Sequence, residues 1–359
     1  APKTAMLARP APPATVPAPP PAAVSTPPVA APAAPGASVP RAGPPFGSYS
    51  AAAAKTAITN LDAAFKRSAN ASPAAARAQL EEPLLAVSMR YWEAEAVGQR
   101  QAMEELRAAI QANAPAAIGV GRGLRASSGG SELATVALLT ELTQGGNGVT
   151  AQACDTYVAA ANARGPDHPP ALYHAALCIA AKNPKQSLDW LHAAGFAGHA
   201  GALETLGRAC IEGAEKDWGC AGHYFELAAG RGRASAMTLY GWVLSNQPAA
   251  TEKDFTSAIG WYRKGAAAGD LFAQNNVGEM YERGRGTLKD DKQARQWYGR
   301  AAEAGFGPGQ FNYARMLLAG SGGPVDRDAA VQWLKKAEGN GVAPAKAALQ
   351  QIAAAGNIK

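Results

Sequence analysis

The stretch from Trp261 to Gly269 reads WYRKGAAAG, and it returns as WYGRAAEAG from Trp297 and as WLKKAEGNG from Trp333. Towards the N-terminus the same nine-residue pattern, headed by an aromatic and closed by a glycine, recurs as YFELAAGRG from Tyr224, WLHAAGFAG from Trp190 and YVAAANARG from Tyr157. The anchors stand 33, 34, 37, 36 and 36 residues apart. A fixed period in this range marks a stacked-repeat architecture, in which one supersecondary unit is copied along the chain.

Each period accommodates a helical hairpin. In the clearest one, Phe272 to Arg283 is predicted to form a first helix with Ala273, Val277, Met280 and Tyr281 on its inner face, and Gly278 leaves room for a neighbouring helix. Gly284 and Gly286 should end it, because glycine takes positive φ without strain. Asp290 or Asp291 is placed to cap a second helix carrying Ala294, Trp297, Tyr298, Ala301 and Ala302, which stops at Gly305. The next period repeats these choices at Gly320, Gly322, Asp326, Ala330, Trp333 and Gly341. Trp190, Trp261, Trp297 and Trp333 are expected to be packing knobs between hairpins rather than a stacking platform for a sugar or base.

Before the repeats, Ala51 to Lys66 carries Ile58, Leu61 and Phe65 at helical spacing. Ser72-Pro73 reads as a helix start, with an N-cap and a proline in the first turn. Glu82-Pro83 reads as another start, and Gln101 to Asn113 as a helix with Met103, Leu106 and Ile110 on one face. Gly119 to Gly123 spells GxGxG, but with no preceding strand and no following Lys-Ser/Thr it reads as a hinge rather than a phosphate loop.

The alanine and glycine positions, the Gly-x-Gly turn, the capping aspartate and the W-Y-x-x-A-A-x-x-G segment together resemble the Sel-one-like repeat family, relatives of the tetratricopeptide repeats. The likeness is closest from Asp254 to about Asn357 and looser from Ser131 to Lys253; around Trp190 and Tyr224 the units are shorter, and Gly213 lacks its partner glycine. The resemblance implies an all-α fold, a right-handed α/α superhelical solenoid of hairpins whose first helices line a concave groove for proteins or other extended ligands. It also implies a bacterial secreted or periplasmic adaptor or regulator of the cell envelope. The expected domains are a disordered Pro/Ala-rich spacer over 1–47, an N-terminal helical region over 48–128 that holds degenerate repeats at most, and the solenoid over 129–357. A last helix from Ala343 to Ala354, with Lys346, Gln350 and Gln351, is suited to be a polar end cap.

Composition agrees with closely packed helices: 47 % of residues are hydrophobic but only 7 % aromatic and 17 % charged. Residues 1–47 contain 15 Pro and 14 Ala, a composition for a semi-extended spacer, although a proline-binding partner is a second use for it. Lys3, Arg9 and Arg41 give this segment +3 of the formal +6, leaving the other 312 residues without a basic stripe and excluding nucleic acid as the expected partner. Nowhere is there a run of about 18 apolar residues, so no membrane span is expected in this chain. The start at Ala-Pro without Met reads as a mature protein whose signal peptide has been removed, and a recombinant start would read the same.

No nucleophile elbow, HExxH or paired-carboxylate signature is present, so no catalytic residue, metal or cofactor is assigned. His168 and His174, flanking Pro169-Pro170, read as surface or capping residues. The expected disulfides are Cys154–Cys178, across the loop between two adjacent antiparallel helices, and Cys210–Cys220, across one hairpin turn. Four reduced buried thiols, or a zinc site using His192, His199 and His223, remain open alternatives. Partner-binding positions are sought on the first helices, one turn from the apolar face: Arg208, Thr238, Trp242, Asn276, Glu279, Arg283, Asn312 and Arg315. An ordinary solvated helix face is the alternative. The expected function is a non-enzymatic protein–protein scaffold, and a peptidoglycan-associated protein, even a cell-wall hydrolase, is the second reading. Hydrolysis of a glycosidic bond needs two carboxylates facing one cleft, whereas the acids here are spread mainly over helix surfaces.

Overall fold

The computed structural model of the chain describes residues 49–68, 70–112, 114, 117–121, 133–143, 150–164, 168–212 and 215–356. The proline-rich spacer and Gly213 lie outside them. Among the described residues the regular structure is helical, without strands. The chain divides into two compact units, one ending at Arg233 and the other beginning at Ala234.

The first unit opens with α1 (Ala51–Ser68), α2 (Pro73–Val97) and α3 (Arg100–Gln111). Ser72 caps α2 as expected, its side chain accepting from the Ala75 amide. The start expected at Glu82-Pro83 does not occur, because α2 runs through Pro83. One main-chain donor is lost there, but Leu80, Leu84, Val87 and Tyr91 form an unbroken buried stripe on both sides of the proline, and that burial outweighs the missing bond. Nor are the first residues of the GxGxG segment a hinge: residues 117–121 are helical, with Ala117 and Val120 buried in the same core as α1 to α3.

Hairpins follow: α4 (Leu133–Thr143) with α5 (Ala151–Arg164), α6 (Pro169–Ile179) with α7 (Pro184–Phe196), and α8 (Ala200–Ala209) with α9 (Trp218–Gly230). Each helix packs on its neighbour in sequence, and α2 reaches forward to touch α8. Both expected disulfides are present: Cys154–Cys178 joins α5 to α6, and Cys210–Cys220 spans the turn between α8 and α9.

The second unit holds α10 (Ala234–Asn246), α11 (Glu252–Ala267), α12 (Leu271–Arg283), α13 (Asp291–Glu303), α14 (Gly307–Ala319), α15 (Arg327–Gly339) and α16 (Ala343–Gly356). Asp290 and Asp326 cap α13 and α15. On α16 the polar Lys346, Gln350 and Gln351 are exposed, while Leu349 and Ile352 pack on the last hairpin.

Trp297 and Trp333 pack against the hydrophobic clusters as expected, but the more deeply buried knob is the residue that follows. Trp190, Trp261, Trp297 and Trp333 are half-buried, and the residue after each one, Leu191, Tyr262, Tyr298 and Leu334, is buried instead. A helix turns about 100° per residue, so only one member of each pair can face the partner helix. A glycine on the first helix decides which: a Cβ on Gly241 would stand 2.9 Å from the Tyr262 ring, and one on Gly278 would stand 2.8 Å from Tyr298. The tryptophans lie at the edge, where Lys264 sits 3.8 Å, Arg300 4.7 Å and Lys336 4.0 Å from the ring centres of Trp261, Trp297 and Trp333.

Candidate partner-binding site

A pocket opens in the second unit between α10, α11 and α12, lined by Trp242, Ser245, Asn246, Tyr262, Asn276, Glu279, Met280, Arg283 and Arg285. The fold positions each of these residues. Ser245 and Asn246 stand in the last turn of α10, where Asn246 Nδ2 donates to the Trp242 carbonyl at 2.9 Å and to Ser245 Oγ at 3.0 Å. Tyr262 reaches in from α11 over Gly241, and its hydroxyl lies 3.0 Å from Ser245 Oγ. Burial raises the Tyr262 pKa, so its phenol stays protonated and able to donate. From α12, Glu279 pairs with Arg283 one turn later at 3.1 Å. Burial in turn pushes the Glu279 carboxyl up, against the pull of Arg283 and Arg285.

Arg285 owes its place to the glycine turn. Gly284 and Gly286 both have positive φ, 64° and 63°, and the Gly286 amide donates to Glu252 Oε1 at 2.8 Å. A Cβ on Gly286 would lie 2.2 Å from the Phe255 carbonyl carbon, so the turn is pressed onto the first turn of α11. Between the two glycines, the Arg285 guanidinium lies 5.4 Å from the centre of the Phe255 ring and lines the pocket.

Of the eight positions sought from sequence, Trp242, Asn276, Glu279 and Arg283 come together here. Arg315 joins a neighbouring network, donating to both oxygens of Glu282 at 2.6 Å. Thr238 and Asn312 are corrections, because both are interior. Thr238 donates to Asp270 at 3.0 Å and Asn312 to Asn275 at 2.9 Å, which leaves neither a surface to offer. Counting one turn from the apolar positions fails for them because first helices are packed on more than one face. Arg208 stands in the first unit, bonded to Glu204. Ser245, Asn246, Tyr262, Met280 and Arg285 were missed; the Gly-x-Gly turn was the signal that pointed to Arg285.

The first unit holds a buried polar network that the sequence reading also missed. His168 caps α6, its ring nitrogen accepting from the Ala171 amide at 3.2 Å, but His174 is not a surface residue. It is buried, stacks on Tyr157 at 4.6 Å, and meets Glu95 at 3.0 Å. Burial alone would lower the His174 pKa, but Glu95, with help from Glu141, holds it up at about 9. Tyr157 donates to Glu141 at 3.1 Å, and Arg233 bonds to Glu204 and to the Glu95 and Ala96 carbonyls. His199 is buried as well, caps α8, and is pushed down by burial to about 3. Among the described residues no three potential metal ligands cluster.

A profile described as Sel1 repeat matches residues 234–270, 271–306 and 307–341. Residues 234–341 are three Sel1 repeats. The boundaries coincide with the hairpins α10–α11, α12–α13 and α14–α15, so the pocket lies between the first two matched repeats. Among solved structures, the chain is similar to a Sel1 repeat protein from Oxalobacter formigenes, with 27 % identity, a TM-score of 0.52, and coverage of 62 % of this chain and 88 % of that one. It also shares its fold with a protective antigen present in uropathogenic Escherichia coli strains displaying an SLR fold, with 20 % identity, a TM-score of 0.54, and coverage of 83 % of this chain and 75 % of that one. No curated protein matches the chain.

Proposed function

We propose that the chain is a non-catalytic scaffold of the bacterial cell envelope that grips a protein segment along the first helices of its Sel1 repeats. One observation carries the reading: the pocket between the first two matched repeats gathers two aromatic rings, amides, hydroxyls and three charged groups from three helices and the turn after α12. Such a mixture suits an extended polypeptide, which offers main-chain polar groups and side chains together. The two disulfides support an oxidising compartment such as the periplasm or the exterior. No described helix is long and apolar enough to cross a membrane.

The test is a crosslinking pulldown from the producing organism with the full chain and with an Asn246→Ala, Arg283→Ala variant. A protein recovered by the parent and lost by the variant is the expected result. Equal recovery by both moves binding away from the pocket, and pelleting with purified cell-wall material in place of a protein would favour a glycan ligand.

A further inference from the structure

The repeats provide their own control for the pocket. Because α10, α12 and α14 begin at 234, 271 and 307, Ser245 occupies the place of Glu282, and Glu279 the place of Arg315. At the downstream position the space is filled. Glu282 accepts from the Tyr298 hydroxyl at 2.9 Å, and each of its oxygens accepts from Arg315 at 2.6 Å. At the upstream position the tyrosine is retained as Tyr262, but its partner is the short Ser245 hydroxyl, and no carboxylate arrives. The pocket is thus lined by the short Ser245 at the register position where the next repeat carries a glutamate.

The charges around that volume favour an anion. Glu279 opposes one, but it is paired with Arg283. Arg285 adds a second guanidinium to the lining, and among the described residues no carboxylate forms an ion pair with it. At the end where Glu282 is bonded downstream, Tyr262 supplies a hydroxyl, while the Ser245 hydroxyl and the Asn246 amide already donate to the Trp242 carbonyl.

We propose that this pocket is a receptor for a carboxylate side chain, an aspartate or glutamate presented by an extended acidic segment of the protein partner. The ligand carboxylate accepts from Tyr262 and meets Arg285, and its approach is opposed by Glu279, which stands where Arg315 does one repeat later. The inference rests on the groove reading above and adds the chemistry of its occupant. The Gly-x-Gly turn gains a role as well, because its two positive-φ glycines hold Arg285 at the pocket.

The experiment probes the full chain with an array of randomised octapeptides, amidated at their C-termini so that only side-chain carboxylates are offered. Enrichment of Asp and Glu among bound peptides is expected. Arg285→Glu should reverse that preference and weaken a selected acidic peptide by about tenfold or more, the worth of one charge-assisted bond. Ser245→Glu, which supplies the missing carboxylate from within, should block the same peptide. Glu279→Gln should tighten it, an outcome that damage to the fold cannot mimic. Binding without acidic enrichment, or an Arg285→Glu variant with unchanged preference, overturns this inference and leaves the groove reading standing. No bound peptide at all overturns both.

Discussion

At the scale of single residues, the structure separates two aromatics that stand side by side in the sequence. Tyr298 is fully buried against Gly278 and donates to Glu282, whereas Trp297 is half-buried under Arg300. Tyr298→Ala should therefore destabilise the chain by about 3–5 kcal/mol, mainly through the cavity left by a fully buried ring. Trp297→Ala should lose less, about 2 kcal/mol, since part of its ring stays in solvent. Chemical unfolding followed by far-UV circular dichroism measures both, and a larger loss for Trp297 would contradict the assignment of the knob. Gly286→Ala should be more disruptive than Gly284→Ala. Both have positive φ, but an added Cβ at 286 collides with the Phe255 backbone, which cannot swing aside, while at 284 its neighbour is Lys289 at 3.1 Å. The same unfolding measurement ranks them. The 36-residue spacing holds equally for each anchor tryptophan and for the apolar residue after it, so the sequence located the knob only to within one residue. Choosing between them requires knowing which side chain faces the first-helix glycine, a fact of packing and not of periodicity.

At the scale of elements, helix ends were the most legible feature, because they depend on local chemistry. Ser72, Asp290 and Asp326 cap as their positions implied, and Gly284 and Gly320 close α12 and α14 in the left-handed conformation. The failures at Pro83 and at Gly119 share one cause: a local breaker signal was outvoted by apolar stripes burying into a core assembled from distant helices. The disulfides were legible for a geometric reason, since residues equidistant from a connection in an antiparallel pair come to lie side by side. Cys154–Cys178 closes 24 residues and Cys210–Cys220 closes 10. Loop-closure entropy makes each worth ~3 kcal/mol, with the longer loop ahead by less than about 1 kcal/mol. Paired Cys→Ser replacement of each bond, followed by thermal unfolding, should lower the midpoint in both cases. An unchanged midpoint for either would mean that its loop is already held by helix packing.

At the scale of the whole molecule, the two units carry different electrostatics, and pH should distinguish them. In the first, His174 is held protonated up to about 9 by Glu95 inside a network completed by Glu141, Tyr157 and Arg233. A group whose folded pKa lies above its unfolded value of 6.5 contributes stability that is complete below that value and is lost as pH rises through the folded one. Between about pH 6.5 and 9 the first unit should therefore lose stability on the order of 2 kcal/mol from this residue. None of this was readable from sequence, because Glu95, Glu141 and His174 lie on three helices with no shared motif. The second unit holds no histidine in its sequence, and Arg315 bonds to Glu282 between two of its helices. Segment-resolved hydrogen exchange at pH 6.5 and 9, corrected for the intrinsic rate, should show protection falling in residues 169–179 and 200–209 while residues 271–283 and 307–319 hold theirs. His174→Gln, which keeps a polar side chain but cannot titrate, should remove the difference between the two pH values. Equal loss of protection in both units would show that stability at alkaline pH is governed by something other than this buried pair.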